Sequence, residues 1–398
     1  MARNPSLPTL RPSVKSLRES LIAVRRELHA NPELSWKEFE TQRLILSRLT
    51  ALGLKDVRPI AGTGVTALLE GSMRGPCVVW RADIDALPVP EKTGLPFASK
   101  NPGVMHACGH DAHTAIALAI AQVLAPRRET LAGSVRFIFQ PAEEASGGAQ
   151  SCIDDGVLDH PPVGRVLGLH VSADIPVGAI NVAPGPFFAS PTSFTITITG
   201  RGGHAAAPHQ SVDAVVVAAH AIIALQTIIS RSVAPSDTAV LTVGTVQAGF
   251  RWNVIAESAT LTGTIRTYEE RVRNQILARI EKIMSGVCDA FGATFTMEHR
   301  TSSPPLVNDP DVTQFVIDAA LEYFGAERIF GAPSMGAEDM ALYLQRRPGC
   351  YFWLGARNDR HGSPGRHHDP HFTIEEDALP IGVEFGVRLI EQSLDPGQ

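Results

Sequence analysis

The sequence predicts an α/β fold: a larger domain on a mostly parallel sheet, interrupted by a smaller α+β domain with an antiparallel sheet and two helices. Three observations predict it. Short apolar runs, CVVW (77–80), SVRFIF (134–139), RVLGLH (165–170) and YFWLG (351–355), read as buried strands and alternate with helical stretches. That alternation implies strands in parallel, covered on both faces. Between about Phe188 and Ser303 the pattern becomes period two, as in SFTITITG, AVLTVGTV and ATLTGTIRTY, the signature of half-buried strands. YFWLG then returns to the first pattern, so the second region is an insertion. The expected division is 1–187 with 304–398 for the larger domain and 188–303 for the smaller.

The elements follow in order. Val14, Leu17, Leu21, Val24 and Leu28 recur every three or four residues and mark a first helix. A second runs over 114–125, with Asp111 or Thr114 as its N-cap. The inserted region reads β-α-β-β-α, with helices over VVVAAHAIIALQTII and near 273–284 and FGATFTMEH as its last strand. No internal repeat or low-complexity segment occurs.

At 398 residues the chain is long enough for about two cores. Ordinary Gly (34) and Pro (29) contents exclude collagen-like and disordered classes. A formal charge of −6 leaves no excess of cations for a phosphate backbone, which argues against nucleic acid. The longest apolar stretches, near 115–125 and 215–225, fall short of the roughly 20 residues of a membrane span. The N-terminus lacks an apolar signal core. Five scattered cysteines, an odd number, fit reduced thiols and a cytoplasmic protein.

In an open parallel sheet, ligands bind beyond the carboxyl ends of the strands. Metal-ligating residue types stand at nearly every such end. CVVW runs into RADID, with Asp83 and Asp85, and SVRFIF into QPAEE, with Glu143 and Glu144. RVLGLH ends on His170, and YFWLG precedes RHHDPH, with His367, His368 and His371. Between the first two strands lies MHACGHDAH, with His106, Cys108, His110, Asp111 and His113. In an extended segment Cys108 and His110 face one side, and Gly109 lets the backbone bend. Thiolate, imidazole and carboxylate together suit Zn²⁺ or a similar divalent ion. Of the adjacent acids Glu143 and Glu144, one can coordinate while its neighbour handles a proton. Each residue alone has a structural explanation, as a cap, a solvated acid or a core histidine; their joint occurrence points to a site. GTGVTA and GRGGHA match a dinucleotide fingerprint only loosely, without the crossover helix or the distal acid it needs.

At these residues the chain resembles the aminoacylase-type two-metal peptidases, in the amidohydrolase branch that contains hippurate hydrolases and auxin-conjugate hydrolases. RRELHANPELSWKE, RADIDALPVPEKTG, MHACGHDAHTA, FIFQPAEE, GLHV, GRGGHAAAPH, GTIRT, GAED and HHDPHFTIEEDALPIG carry the resemblance in order along nearly the whole chain. It implies a two-metal catalytic domain and an inserted lid that also dimerises. It implies Cys108, His110, Glu144, His170 and His368 as metal ligands, with Cys108 bridging or binding both ions. His368 is chosen over its neighbours for the pattern His368-Asp369-Pro370. Glu143 is implied as general base, His204 of the lid as a catalytic donor to the oxyanion, and Asn253 near the substrate carboxylate. Asp85 is assigned to orienting a ligand, such as an imidazole. The sequence departs from relatives at Ala256, which follows NVI, and at Met340, after GAED; both bear on side-chain preference.

The implied cofactors are two divalent ions per subunit, Zn, or Mn, Co or Ni. A metal pair lowers the pKa of bound water from about 15.7 towards 7, and Glu143 relays its proton to the departing nitrogen. The expected reaction is hydrolysis of N-acyl or N-aroyl amino acids by a homodimer or higher homo-oligomer, with no nucleic acid and no membrane. Two alternatives stand: a dipeptidase, aminopeptidase or carboxypeptidase on this scaffold, and a non-catalytic protein with a closed structural zinc.

Overall fold

The computed structural model describes residues 7–145, 147–358 and 365–395. The chain divides into two compact units, Met1–Phe187 with Val307–Pro333 and Asp339–Gln398, and Phe188–Leu306 with Ser334–Glu338. The short return at 334–338 carries no periodic signal. It is held by a bridge between Phe188 and Ser334 and by the Ala189 N–H donating to the Gly336 carbonyl at 2.8 Å.

The larger unit is built on an eight-stranded sheet. Its centre is four neighbouring strands, Ala132–Gln140, Met73–Asp83, Val163–Pro176 and Gly349–Arg357, each parallel to the next. These contain the four apolar runs. Their side chains are buried on both faces, among them Trp80, Phe137, Phe139 and Phe352, so a near-continuous apolar sequence is what the position demands. Parallel register brings chain ends together: Asp83 pairs with Gln140, and Trp353 lies opposite His170.

Antiparallel strands flank this centre. Lys55–Ile60 and Gly64–Glu70 form a hairpin whose second strand pairs with Ala132–Gln140. The residues of GTGVTA belong to this hairpin and its turn. Its second strand escapes periodicity because it is buried on both faces. On the other side, Ile180–Asn181 and Ile329–Phe330 extend the sheet.

The first helix, Pro12–Ala30, starts with proline at its first turn and buries Val14, Leu21, Val24 and Leu28. It packs with His110–Leu124 and Ala378–Ser393. The helix expected at 114–125 begins four residues earlier, and neither expected cap is used. Gly109 is the capping position. Asp111 is taken by Arg25 (2.8 Å) and His29 (2.8 Å), and the Thr114 hydroxyl donates back to the His110 carbonyl (2.9 Å).

In the smaller unit, four antiparallel strands lie in the order Ala239–Ala248, Ser258–Thr267, Ser190–Thr199, Thr294–Thr301. Phe194, Ile196 and Ile198 point into the core, while the alternating threonines are half-buried or exposed. Helices Ala214–Arg231 and Glu270–Phe291 cover that face. The first is capped by the Asp213 carboxylate, which accepts from the Val215 N–H. It is long and apolar enough to cross a membrane by length and composition alone. Here Val217, Ala218, Ala221, Leu225 and Ile228 bury its apolar stripe against the sheet.

Candidate metal centre

The larger unit gathers an unusual density of ionisable groups at the carboxyl ends of its central strands. Arg81, Asp83, Asp85, His110, Asp111 and His113 are each no more than 2% exposed. Burying charges is costly unless they are paired, and strongly perturbed ionisable groups cluster at functional sites.

Gly109 sets the local geometry. Its φ of 86° lies in the left-handed region, and a Cβ there would meet Val171 Cγ2 at 2.4 Å. The chain turns here and enters the helix at His110, so Cys108 and His110 are not on one extended segment as expected. They share a site all the same: the ligand atoms of Cys108, His110 and Glu144 lie within 4.8 Å of one another. His170, at the end of its strand, brings Nε2 to 3.4 Å from Cys108 Sγ.

Glu143 and Glu144 follow Ala142, whose φ of 51° is also left-handed. That turn is held by the Ala142 N–H donating to buried Glu38 (2.9 Å) and by Gly148, where a Cβ would overlap the Pro141 carbonyl oxygen at 1.8 Å. The turn frees two adjacent acids from the strand. Glu144 Oε1 lies 3.2 Å from His368 Nε2.

His368 comes from the loop after Gly349–Arg357, tied down by its N–H donating to the Ala107 carbonyl (2.8 Å). Its neighbour His367 also enters the cluster, with Nδ1 3.8 Å from Cys108 Sγ. His371 is exposed and pairs with Asp369. Both adjacent histidines therefore reach the centre, one at Glu144 and one at Cys108, where the sequence reading chose His368 alone.

A second ring of partners holds these groups. Asp85 Oδ1 accepts from His110 Nδ1 (3.1 Å), while its Oδ2 accepts from Ser35 (2.7 Å) and from the Glu144 N–H (3.1 Å). Asp83 pairs with His113 Nδ1 and with Arg81 (2.7 Å). Arg81 continues to Gln140 (2.9 Å) and Asp339 (2.9 Å), and Asp339 also accepts from the Ala149 N–H (3.1 Å). Sequence reasoning passed over Arg81, His113 and Asp339 in these roles. An arginine inside an apolar strand was the available signal. His106, another metal-type residue of the sequence, is buried outside this cluster and pushed down to about 4, chiefly by burial.

The electrostatics ask for added positive charge. Burial, and then Glu144 and Glu143, push the Cys108 thiol well above its ordinary range. Burial disfavours charge on His110, yet Asp83 and Asp85 outweigh it and raise the imidazole to about 10. Burial drives His170 well below its usual range, and His367 down to about 3, with neighbouring histidines adding to both shifts. His110 Nε2 is buried with no hydrogen-bond partner. A thiolate, imidazole nitrogens presenting lone pairs and a carboxylate around one space are the donor set of a borderline-soft divalent ion. The residues fit such a group.

His204 and Asn253 belong to the smaller unit. They lie on a two-stranded hairpin, Gly203–His204 with Val254–Ile255, where the Ala205 N–H donates to the Asn253 carbonyl (3.2 Å). His204 is exposed, and its Nδ1 accepts from the Ala206 N–H (3.0 Å). Ala256 and Met340, the two departures from relatives, are buried, at 5% and 0% exposure.

A metal-ligand cluster with an adjacent acid, at the carboxyl ends of parallel strands, defines a metal-dependent hydrolase. The chain belongs to peptidase family M20/M25/M40, whose model matches residues 79–392. It is 43% identical over 387 residues to an N-acetyl-L-cysteine deacetylase of Bacillus subtilis (strain 168), covering 97% of this chain and 91% of that one. It is 37% identical to IAA-amino acid hydrolase ILR1-like 4 of Arabidopsis thaliana, covering 91% of this chain and 83% of the other. The Bacillus subtilis YXEP protein, a dinuclear metal-binding peptidase of the M20 family, superimposes with a TM-score of 0.81 at 36% identity. That match covers 96% of this chain and 99% of the other. The protein is thus a metal-dependent hydrolase of amide bonds, on an α/β fold with an inserted α+β domain.

Proposed function

We propose that the protein hydrolyses N-acyl or N-aroyl amino acids to a carboxylate and a free amino acid, using two divalent ions, zinc or else manganese, cobalt or nickel. The observation that carries the reading is the shared space around Cys108. His110 and Glu144 have ligand atoms within 4.8 Å of it and of each other, His170 Nε2 lies 3.4 Å from its sulfur, and His368 Nε2 lies 3.2 Å from Glu144. We assign these five residues as ligands, with Cys108 common to both ions. Bound there, the ions would acidify a water and polarise the scissile carbonyl.

The chain's own residues supply the rest. Glu143, adjacent to the ligand Glu144 but not needed as a ligand, takes the proton of the attacking water and returns it to the departing nitrogen. Asp85 holds His110 with its Nδ1 protonated, leaving Nε2 for coordination. His204 donates to the oxyanion, and Asn253 binds the substrate carboxylate through its side-chain N–H groups. Support for the substrate class comes from two relatives, one named for N-acetyl-L-cysteine and one for IAA-amino acids. The test is a screen of acetyl- and benzoyl-amino acids against dipeptides by the metal-reconstituted enzyme, read by amine release. Acylated amino acids should be turned over fastest and a chelator should abolish the signal. Faster cleavage of dipeptides overturns the assignment.

The smaller unit carries Phe250 and Trp252, 86% and 88% exposed, together with exposed Ile223 and Val246. Exposed large apolar groups of this kind mark association surfaces, and we propose that the chain forms a homodimer or higher homo-oligomer through this unit. Light scattering should give a multiple of the chain mass, reduced to one chain by Phe250→Ser with Trp252→Ser. A wild-type monomer refutes it. Cytoplasmic residence is proposed on the five cysteines, all unpaired and buried.

A further inference from the structure

The imidazoles around Cys108 can be sorted by what their second nitrogen meets. A neutral imidazole has one N–H and one lone pair, and the partner of one nitrogen decides what the other presents. His170 Nδ1 faces the Val171 carbonyl at 2.7 Å and must donate, so the Nε2 aimed at Cys108 carries a lone pair. His110 Nδ1 donates to the Asp85 carboxylate at 3.1 Å, and its Nε2, which has no hydrogen-bond partner, presents a lone pair once a cation takes the place of its proton. Both rings are prepared as ligands.

His113 has the opposite arrangement. The Val171 N–H donates to its Nε2 at 2.9 Å, so the proton sits on Nδ1, which donates to Asp83. His367 follows the same rule. The Ala173 N–H donates to His367 Nε2 at 3.4 Å, which takes up that lone pair and places the proton on Nδ1. Nδ1 is the atom 3.8 Å from Cys108 Sγ. Distance alone would make His367 a third ligand beside Cys108 and His170, but at that nitrogen it has no lone pair to offer.

We infer that His367 is a positioning residue that donates an N–H···S hydrogen bond to the Cys108 thiolate, and that it is not a metal ligand. The ring is held for this by Phe372 and Trp353, at centroid distances of 4.9 and 5.7 Å, and by His170 at 5.2 Å. A hydrogen bond to a coordinating sulfur draws electron density from it and weakens its donation, leaving the ions it joins more electrophilic. The inference rests on the metal-centre reading above and adds to it a means of tuning the shared thiolate.

The experiment uses the full chain reconstituted with cobalt(II), measuring cobalt per chain and the near-ultraviolet sulfur-to-cobalt charge-transfer band. His367→Phe and His367→Leu remove the donor, and His367→Asn keeps an N–H near the Nδ1 position. All three should bind as many ions as the wild type. In the Phe and Leu variants the band should move to longer wavelength, because a thiolate without its hydrogen bond is a stronger donor. In the Asn variant it should stay near the wild-type position. Loss of one ion per chain in the Phe or Leu variant would make His367 a ligand and overturn the inference, as would a band unmoved in both. A wild-type chain that takes up no cobalt would sink the metal-centre reading itself, and this inference with it.

Discussion

The Cys108 cluster and the His204 hairpin carry the proposed chemistry in opposite ways. Around Cys108, His110 and His170 are buried and each is braced by a second group, Asp85 on His110 and the Val171 carbonyl on His170, with buried Asp83 and Arg81 beneath. On the hairpin, His204 is exposed, and its Nδ1 accepts from the Ala206 N–H two residues away. The first region spends folding energy on holding charges in place; the second costs the fold little. Substitutions of the proposed ligands and of the residues that brace them should therefore change metal binding and stability together, whereas substitutions on the hairpin should change turnover alone.

The sharpest test is Glu143→Gln. It should lower kcat by about 10²–10⁴-fold, the usual worth of a general base, while metal content measured by elemental analysis stays at the wild-type level. Near-native turnover would remove Glu143 from the role. Next is Asp83→Asn, which leaves buried Arg81 and His113 facing an uncharged side chain and should cost about 3–5 kcal/mol in urea unfolding of the chelated protein. This loss depends on pH. Burial opposes the Asp83 charge, but His110, His113 and Arg81 outweigh it and hold the carboxyl well below its ordinary range. The native chain then binds fewer protons here than the unfolded one. The stabilisation is complete above about pH 4 and is lost as pH falls through the native pKa. In Asp83→Asn the acid limb of the stability profile should flatten.

His204→Ala probes the other region. It should reduce kcat by about 10²–10³-fold, with melting temperature and metal content unchanged; a large fall in stability would erase the contrast between the regions. The smallest effect is expected for Asp85→Asn. An amide can still face His110 but no longer fixes its proton as a carboxylate does, and metal affinity should weaken by about 10–100-fold in competition with a chromogenic chelator.

Much of this was legible before any coordinates. The four apolar runs became the central parallel strands, and the threonine-rich alternation became the antiparallel sheet, because burial on two faces or one writes itself directly into residue type. The hairpin of Gly64–Glu70 was missed for the same reason: a strand buried on both sides has no period to find. The N-cap at Asp111 was misplaced because its carboxylate is claimed by Arg25 and His29, which lie about 80 residues away in sequence. Local capping rules cannot see such a partner.

By itself the sequence determined which chemical groups stand at the ends of which strands, since strand, loop and ligand type are local properties of a few consecutive residues. Only the tertiary structure decided which nitrogen of each histidine is free. That depends on a carbonyl, an N–H or a carboxylate arriving from another strand. The adjacent pair His367 and His368 shows the difference: identical as letters, they are separated by the backbone each one meets, one turned to Cys108 and the other to Glu144.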